Sequence, residues 1–238
     1  MPTTNPLVVG HRGAAAVRPE NTISSFVRGV ADGADVIEFD VHLSADDRVV
    51  VIHDPTLDRT AVAGRTSGAV RDLTWPQLQD AELADGERIP TLRDALETIT
   101  TPIQLEIKAP AAARPAAELA LAAGVADRVT FISFRLEALE AVRAVDPGLA
   151  LGVVTSRPTA DKLATVDDLG ADMFSVEIPH LDRALVAELQ RRGVRVCAWT
   201  ALTESDVRAA VDVGADLLAA DDPGWCRSVL EAAAHPTG

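Results

Sequence analysis

The sequence predicts an α/β chain whose parallel strands close into a (β/α)8 TIM barrel, with a small insertion capping one end. Three observations predict it. Short β-branched or apolar runs recur along the 238 residues with amphipathic helical patterns between them, the alternation that builds a parallel sheet under a shell of helices. The strand-like runs number nine, one more than such a barrel needs, and two of them lie too close to be joined by a helix. Ionisable residues gather where the runs end, and the C-terminal ends of barrel strands are where these folds place their chemistry.

The first run, 7–10, leads into a helical pattern over 22–31. Pro19-Glu20-Asn21-Thr22 opens that helix, with Asn21 or Thr22 as the natural N-cap. Runs 36–41 and 49–53 are separated by only seven residues, too few for a crossover helix. Asp46-Asp47 in that link is good turn chemistry, so the second run is read as a hairpin-like arm. With the arm set aside, the strands 7–10, 36–41, 103–108, 129–133, 149–154, 173–177, 194–199 and 216–220 remain. The helices expected between and after them are 22–31, 92–99, 115–123, 136–145, 160–169, 183–192, 204–213 and 225–233. The segment 55–90 is rich in Thr, Asp, Arg and Gly, with Trp75 and Pro76 midway. A long connection at the functional end of a barrel forms a lid or rim, so one domain over 1–238 with a cap at about 55–90 is expected. An open, doubly wound sheet is the alternative, but the first strand lacks a Gly-rich nucleotide fingerprint after it.

Composition narrows the partners. The net charge of −14 argues against nucleic acid and anionic membrane surfaces. A phosphate-bearing substrate would have to be held by cations within the site, because the long-range field repels it. Cys197 and Cys226 do not make a disulfide framework and are read as buried thiols. The first six residues carry neither a basic nor an apolar leader region. No apolar stretch approaches the roughly 20 residues that span a bilayer. A soluble cytoplasmic protein without a membrane anchor is expected.

The chemistry-bearing residues fall at the strand ends. The first strand ends in His11-Arg12-Gly13, the second carries Glu38 and Asp40, the arm ends in His53-Asp54, and the next strand ends in Glu106-Ile107-Lys108. Glu38 and Asp40, two apart on a strand, point to one face, where like charges are costly unless a cation sits between them. With Glu106 they make a hard oxygen set suited to Mg2+ or Ca2+. The alternative is a buried ion network with Arg12, Arg18 or Lys108. His11 and His53 are the natural general acid and base, and Arg12 and Lys108 are the natural phosphate contacts. Trp199 either packs as core or forms one wall of a pocket. His42 shares the Glu38/Asp40 face, His180 is placed to line the rim, and His235 in the tail is expected to be solvated.

Taken together, the ordered set resembles the glycerophosphodiester phosphodiesterase family. The matching pieces are His11-Arg12-Gly13, Pro19-Glu20-Asn21-Thr22, Glu38-Phe39-Asp40-Val41, His53-Asp54, Ile89-Pro90-Thr91-Leu92, Glu106-Ile107-Lys108, Ser133-Phe134, Trp199-Thr200 and Asp221-Asp222-Pro223. The resemblance implies a barrel with an insertion after His53-Asp54 and one divalent cation, Mg2+ or Ca2+, held by Glu38, Asp40 and Glu106. It also implies His11 and His53 as acid and base, with Arg12 and Lys108 on the phosphate. The expected reaction releases glycerol 3-phosphate and an alcohol from a small glycerophosphodiester. Where the family often continues Trp-Thr with Val-Asn, this chain has Ala201-Leu202; Ala220 replaces a common Thr and Asp222 a common aromatic. These positions are expected to bear on the alcohol group.

Three other functions use the same residues. A lysophospholipase D acting on lipids would need an apolar rim or a membrane anchor, and the sequence offers neither. A Schiff-base lyase would use Lys108 without a metal. A non-catalytic phosphodiester-binding barrel would have no use for the acid–base pair His11 and His53.

Overall fold

The computed structural model describes residues 5–62 and 66–234; His235 lies outside them, as do residues 1–4 and 63–65. The described elements run β1 (Leu7–Gly10), α1 (Ile23–Ala31), β2 (Val36–Leu43), β3 (Val49–Val51), α2 (Trp75–Gln79), α3 (Leu92–Thr98), β4 (Ile103–Ile107) and α4 (Ala113–Ala122). They continue as β5 (Val129–Ser133), α5 (Leu136–Arg143), β6 (Ala150–Thr155), α6 (Ala160–Leu169), β7 (Met173–Glu177), α7 (Arg183–Arg191), β8 (Arg195–Ala201), α8 (Glu204–Val213), β9 (Leu217–Ala220) and α9 (Pro223–Ala234).

Eight strands form a closed parallel ring in the order β1-β9-β8-β7-β6-β5-β4-β2, and β1 pairs with both the last strand and β2. Closure rules out the open-sheet alternative. Side chains alternate across each strand. One set, including Val9, Val36, Ile132, Val154, Met173, Cys197, Leu217 and Ala219, fills the barrel interior. The other set packs outward against the helices, with Phe39, Leu105, Phe131, Leu151 and Phe174 fully buried there.

The arm is antiparallel, as its short link requires: Val41, His42 and Leu43 pair with Val51, Val50 and Val49. β4 holds the opposite edge of β2 through Val41, so β3 takes up the edge that the short β1 leaves open. β3 stops at Val51, two residues before the expected end. Val51 N–H donates to the Pro90 carbonyl and Ile52 N–H to the Asp40 carbonyl, after which the chain bends and frees His53-Asp54 from the ladder.

The segment after the arm contains a short helix that the sequence reading missed. Thr74 and Gln77 cap the first turn of α2 reciprocally, and Pro76 sits where a helix tolerates it. Val50, Ile52, Leu57, Val70, Leu78, Ala81, Leu83 and Ile89 bury one another in a satellite core between this segment and the arm.

Candidate active site

The turn after β1 is the first piece of the site. Gly13 has φ 90°, and a Cβ there would lie 2.5 Å from Ser25 Oγ on α1. This turn carries Arg12 with φ 51°, so that its backbone N–H donates to Glu38 Oε2 at 2.9 Å. Asn21 also adopts positive φ, 58°. Thr22, not Asn21, caps α1 by accepting from Ser25 N–H. Asn21 is thereby released to hold Asp40: its Nδ2 donates to Asp40 Oδ2 at 2.9 Å, and its Oδ1 accepts from Asp40 N–H at 3.2 Å.

In register, Glu38 lies beside Gln104 and Asp40 beside Glu106. Glu38, Asp40 and Glu106 each offer an oxygen within 4.8 Å of the other two, and all three residues are buried. Burial first, and then the charge of Asp40, push the Glu38 carboxyl up to about 8 and Glu106 upward as well. Burial also raises Asp40, but Lys108 and Arg12 outweigh it and the net shift is downward. Two buried carboxyls that ionise this reluctantly beside a third that is charged call for more positive charge than the cluster has. The donor set is all oxygen, so a divalent cation fits it.

Two cations already lean on the cluster. Lys108 Nζ donates to Glu106 Oε1 at 2.8 Å and lies 3.6 Å from Asp40 Oδ1. Arg12 Nε lies 3.5 Å from Asp40 Oδ2 without hydrogen-bond geometry, so this buried donor has no acceptor. The ion network weighed as an alternative therefore exists beside the carboxylate cluster. Burial lowers the Lys108 pKa, but Glu106 and Asp40 more than restore it. A raised pKa runs against the depressed one that activates a Schiff-base lysine.

The two histidines sit at opposite ends of this chain of contacts. His11 Nε2 is 4.0 Å from Glu38 Oε2, and its Nδ1–H donates to Asp221 Oδ1 at 2.5 Å. His53 Nδ1–H donates to Asp54 Oδ1 at 2.6 Å, while its Nε2 accepts from Lys108 Nζ at 3.1 Å. Each imidazole is thus oriented by a carboxylate, which fixes its tautomer. Neither partnership was anticipated. Asp54 follows His53 directly, and in a closed barrel Asp221, just past β9, must come beside the end of β1. That adjacency was the available signal.

His11, Arg12, Glu38, His53, Glu106, Lys108 and Trp199 line one cavity of about 330 Å3, floored by Gln104, Ile132, Val154, Ser175, Cys197 and Ala219. Phe134 and Trp199 meet edge to face at 5.8 Å on its wall, and Trp199 Nε1 is buried without an acceptor. Trp199 is therefore pocket wall. Thr200 and Ala219 line the cavity, whereas Ala201, Leu202, Ala220 and Asp222, the positions where the chain departs from the family pattern, do not. His42 stays behind the site, donating from Nε2 to the His53 carbonyl at 3.0 Å. His180 is 3.9 Å from Glu177 and does not line the cavity. Among the described residues no helix is long and apolar enough to cross a membrane.

Comparison with known proteins follows the same lines. The family model for the Glycerophosphoryl diester phosphodiesterase family matches residues 11–225. A glycerophosphodiester phosphodiesterase of Caldanaerobacter subterraneus subsp. tengcongensis is 32% identical, the match covering 91% of this chain and 94% of the relative. An Oleispira antarctica phosphodiesterase, solved in complex with the product sn-glycerol-3-phosphate, superposes with a TM-score of 0.86 at 24% identity, covering 95% of this chain and 97% of that one; at that identity the likeness speaks for the fold. A glycerophosphodiester phosphodiesterase of Thermotoga maritima superposes with a TM-score of 0.81 at 25% identity, covering 95% and 99%.

Proposed function

The chain belongs to the glycerophosphoryl diester phosphodiesterase family, and from that premise we propose that it hydrolyses glycerophosphodiesters to glycerol 3-phosphate and an alcohol. The observation that carries this reading is a buried three-carboxylate cluster with a carboxylate-oriented histidine at either end and two cations beside it; all but Asp40, which is buried behind them, line one cavity. Glu38, Asp40 and Glu106 would hold one divalent cation, with Mg2+ and Ca2+ as the ions that an all-oxygen set favours. When bound, such a cation supplies charge that stabilises the negative charge gathering on the phosphoryl oxygens.

The chain's own residues supply the rest. Arg12 Nε and Trp199 Nε1, buried donors without acceptors, are satisfied by oxygens of the bound diester, and the Lys108 ammonium adds a point charge. His53 serves as base: it takes the proton of the attacking glycerol hydroxyl as that oxygen bonds to phosphorus. His11 serves as acid: it gives its proton to the alcohol oxygen as the bond from that oxygen to phosphorus breaks. Water then opens the resulting cyclic phosphodiester, with each histidine returning its proton in the opposite sense. Asp221 and Asp54 hold the two rings in the tautomers these transfers need. The two cysteines, free and buried, accord with a reducing, cytoplasmic setting.

The test is purified protein with Mg2+ or Ca2+ on glycerophosphocholine and on lysophosphatidylcholine, with products followed by phosphorus NMR. Glycerol 3-phosphate from the first, with the second left intact, is the expected result. Release of phosphocholine, or hydrolysis of the lysolipid alone, would overturn the assignment.

A further inference from the structure

Residues 55–90, between His53-Asp54 and α3, do not line the cavity, yet one of their side chains reaches into the hydrogen-bonding of the site. Arg59 donates from Nε and Nη2 to the two carboxylate oxygens of Asp54 at 2.6 and 3.2 Å. It also donates from Nη1 and Nη2 to those of Glu20, both at 2.7 Å. The same Asp54 Oδ1 accepts from His53, and the same Glu20 Oε1 accepts from Arg12 Nη1 at 3.0 Å. A single guanidinium thus joins the acid–base histidine to the phosphate-binding arginine through two shared carboxylates.

We propose that Arg59 is a positioning residue that sets His53 through Asp54 and Arg12 through Glu20, and so makes the insertion part of the reacting site. The inference rests on the functional reading given above. Its physics is that of the planar fork: five N–H donors in fixed geometry, engaging two carboxylates at once, leave neither free to rotate. Lysine cannot do this, because its ammonium is a point charge on a flexible stem. Asp54 and Glu20 keep side-chain exposures of 22% and 20%. Without the clamp, two like-charged carboxylates are free to turn into water and take their partners with them. Arg59 is itself anchored. Leu57, two residues earlier, is fully buried in the satellite core, and its carbonyl accepts from Thr60 and Ala61 N–H to close the turn that presents Arg59. The arginine's own side chain remains 49% exposed, so a small cation in solution can reach its place.

The experiment is steady-state kinetics on glycerophosphocholine with Arg59→Ala, Arg59→Lys, Asp54→Asn and Glu20→Gln, each checked for a wild-type melting transition. Breaking an outer hydrogen-bonding partner of a reacting group costs about 10–100-fold, and the loss should divide by arm. Asp54→Asn should lower kcat with KM little changed. Glu20→Gln should raise KM and weaken inhibition by glycerol 3-phosphate with kcat little changed. Arg59→Ala should show both losses, Arg59→Lys should not recover them, and millimolar guanidinium, but not sodium at equal ionic strength, should restore part of the Arg59→Ala activity. A folded Arg59→Ala protein with kcat and KM within about twofold of wild type, below the loss such partners normally carry, would overturn the inference. So would a loss that Arg59→Lys fully repairs. Failure of the wild-type protein to release glycerol 3-phosphate would instead remove the functional reading, and this inference with it.

Discussion

At His11, burial pulls the imidazole pKa down, but the hydrogen bond it donates to Asp221 and the charge of Glu38 outweigh it, and the net shift is upward from 6.5. At His53, burial also lowers the pKa; Asp40 and Asp54 oppose it, Lys108 and Arg12 reinforce it, and the net shift is downward from 6.5. Two like groups pushed apart in this way are a ready acid and base. The sign follows directly. With His11 as the proposed acid and His53 as the proposed base, the acid is lost as pH rises through its raised pKa, and the base is lost as pH falls through its lowered one. The kcat/KM profile should therefore be a bell, with His11 setting its basic limb and His53 its acidic limb. Asp221→Asn removes a contact that raises His11, so the basic limb should move to lower pH while the acidic limb stays. A basic limb that stays in place would refute the assignment of His11 as the acid.

Glu38 carries a second consequence at the same scale. Its carboxyl, raised to about 8 by burial and then by Asp40, holds its proton more readily near neutral pH than an ordinary carboxyl does, and a cation in the site competes with that proton. Metal uptake at pH 7 should then release a proton, and affinity should fall as pH drops below about 8. Calorimetry in two buffers of different ionisation enthalpy reads that proton as a difference in apparent heat; identical heats would contradict it.

Among the elements, the arm and the segment behind it explain how a short strand can matter. β3 pairs only three residues with β2, but it delivers His53-Asp54 to the mouth, and the satellite core holds the delivery in place. Leu57 is fully buried in that core, so Leu57→Ala should cost about 2–5 kcal/mol by lost burial plus a cavity. Denaturant unfolding measures the loss, and amide exchange in the segment should quicken with it; stability unchanged within about 0.5 kcal/mol, the range of an ordinary surface substitution, would mean the satellite core is not holding the arm. The arm was legible in the sequence because a seven-residue link excludes a crossover. Helix α2 was not, because its five residues are too few to show a helical period. Asn21 was legible as a cap candidate and is instead a clamp on Asp40. Thr22 and Asn21 both offer cap chemistry, and only tertiary contact with β2 separates them.

For the molecule as a whole, strand ends carried most of the legible information. His11, Arg12, Glu38, His53, Glu106, Lys108 and Trp199 stand at or near such ends in the sequence, and the closed ring brings them to one cavity, with Asp40 buried against Glu38 and Glu106. What the sequence hid are links made only by closure or by side-chain reach. Asp221 meets His11 across 210 residues because β9 pairs with β1, and Arg59 crosses 39 residues to Glu20. The net charge of −14 also gains a meaning at this scale: with a field that repels phosphate, the proposed function requires binding by local cations, the role proposed for Arg12, Lys108 and a metal between the carboxylates. A ligand at 100 times its dissociation constant adds about 2.7 kcal/mol to stability, so saturating metal should raise the melting temperature measurably, and Glu38→Gln should abolish the increase.

The most direct test is release of glycerol 3-phosphate from glycerophosphocholine by protein stripped with EDTA and then resupplied with Mg2+ or Ca2+. Activity lost on stripping and restored by a divalent cation, but not restored in Glu38→Gln, is the predicted result. Undiminished activity in the stripped protein, or full activity in Glu38→Gln, would contradict the carboxylate cluster as the metal centre on which the account depends.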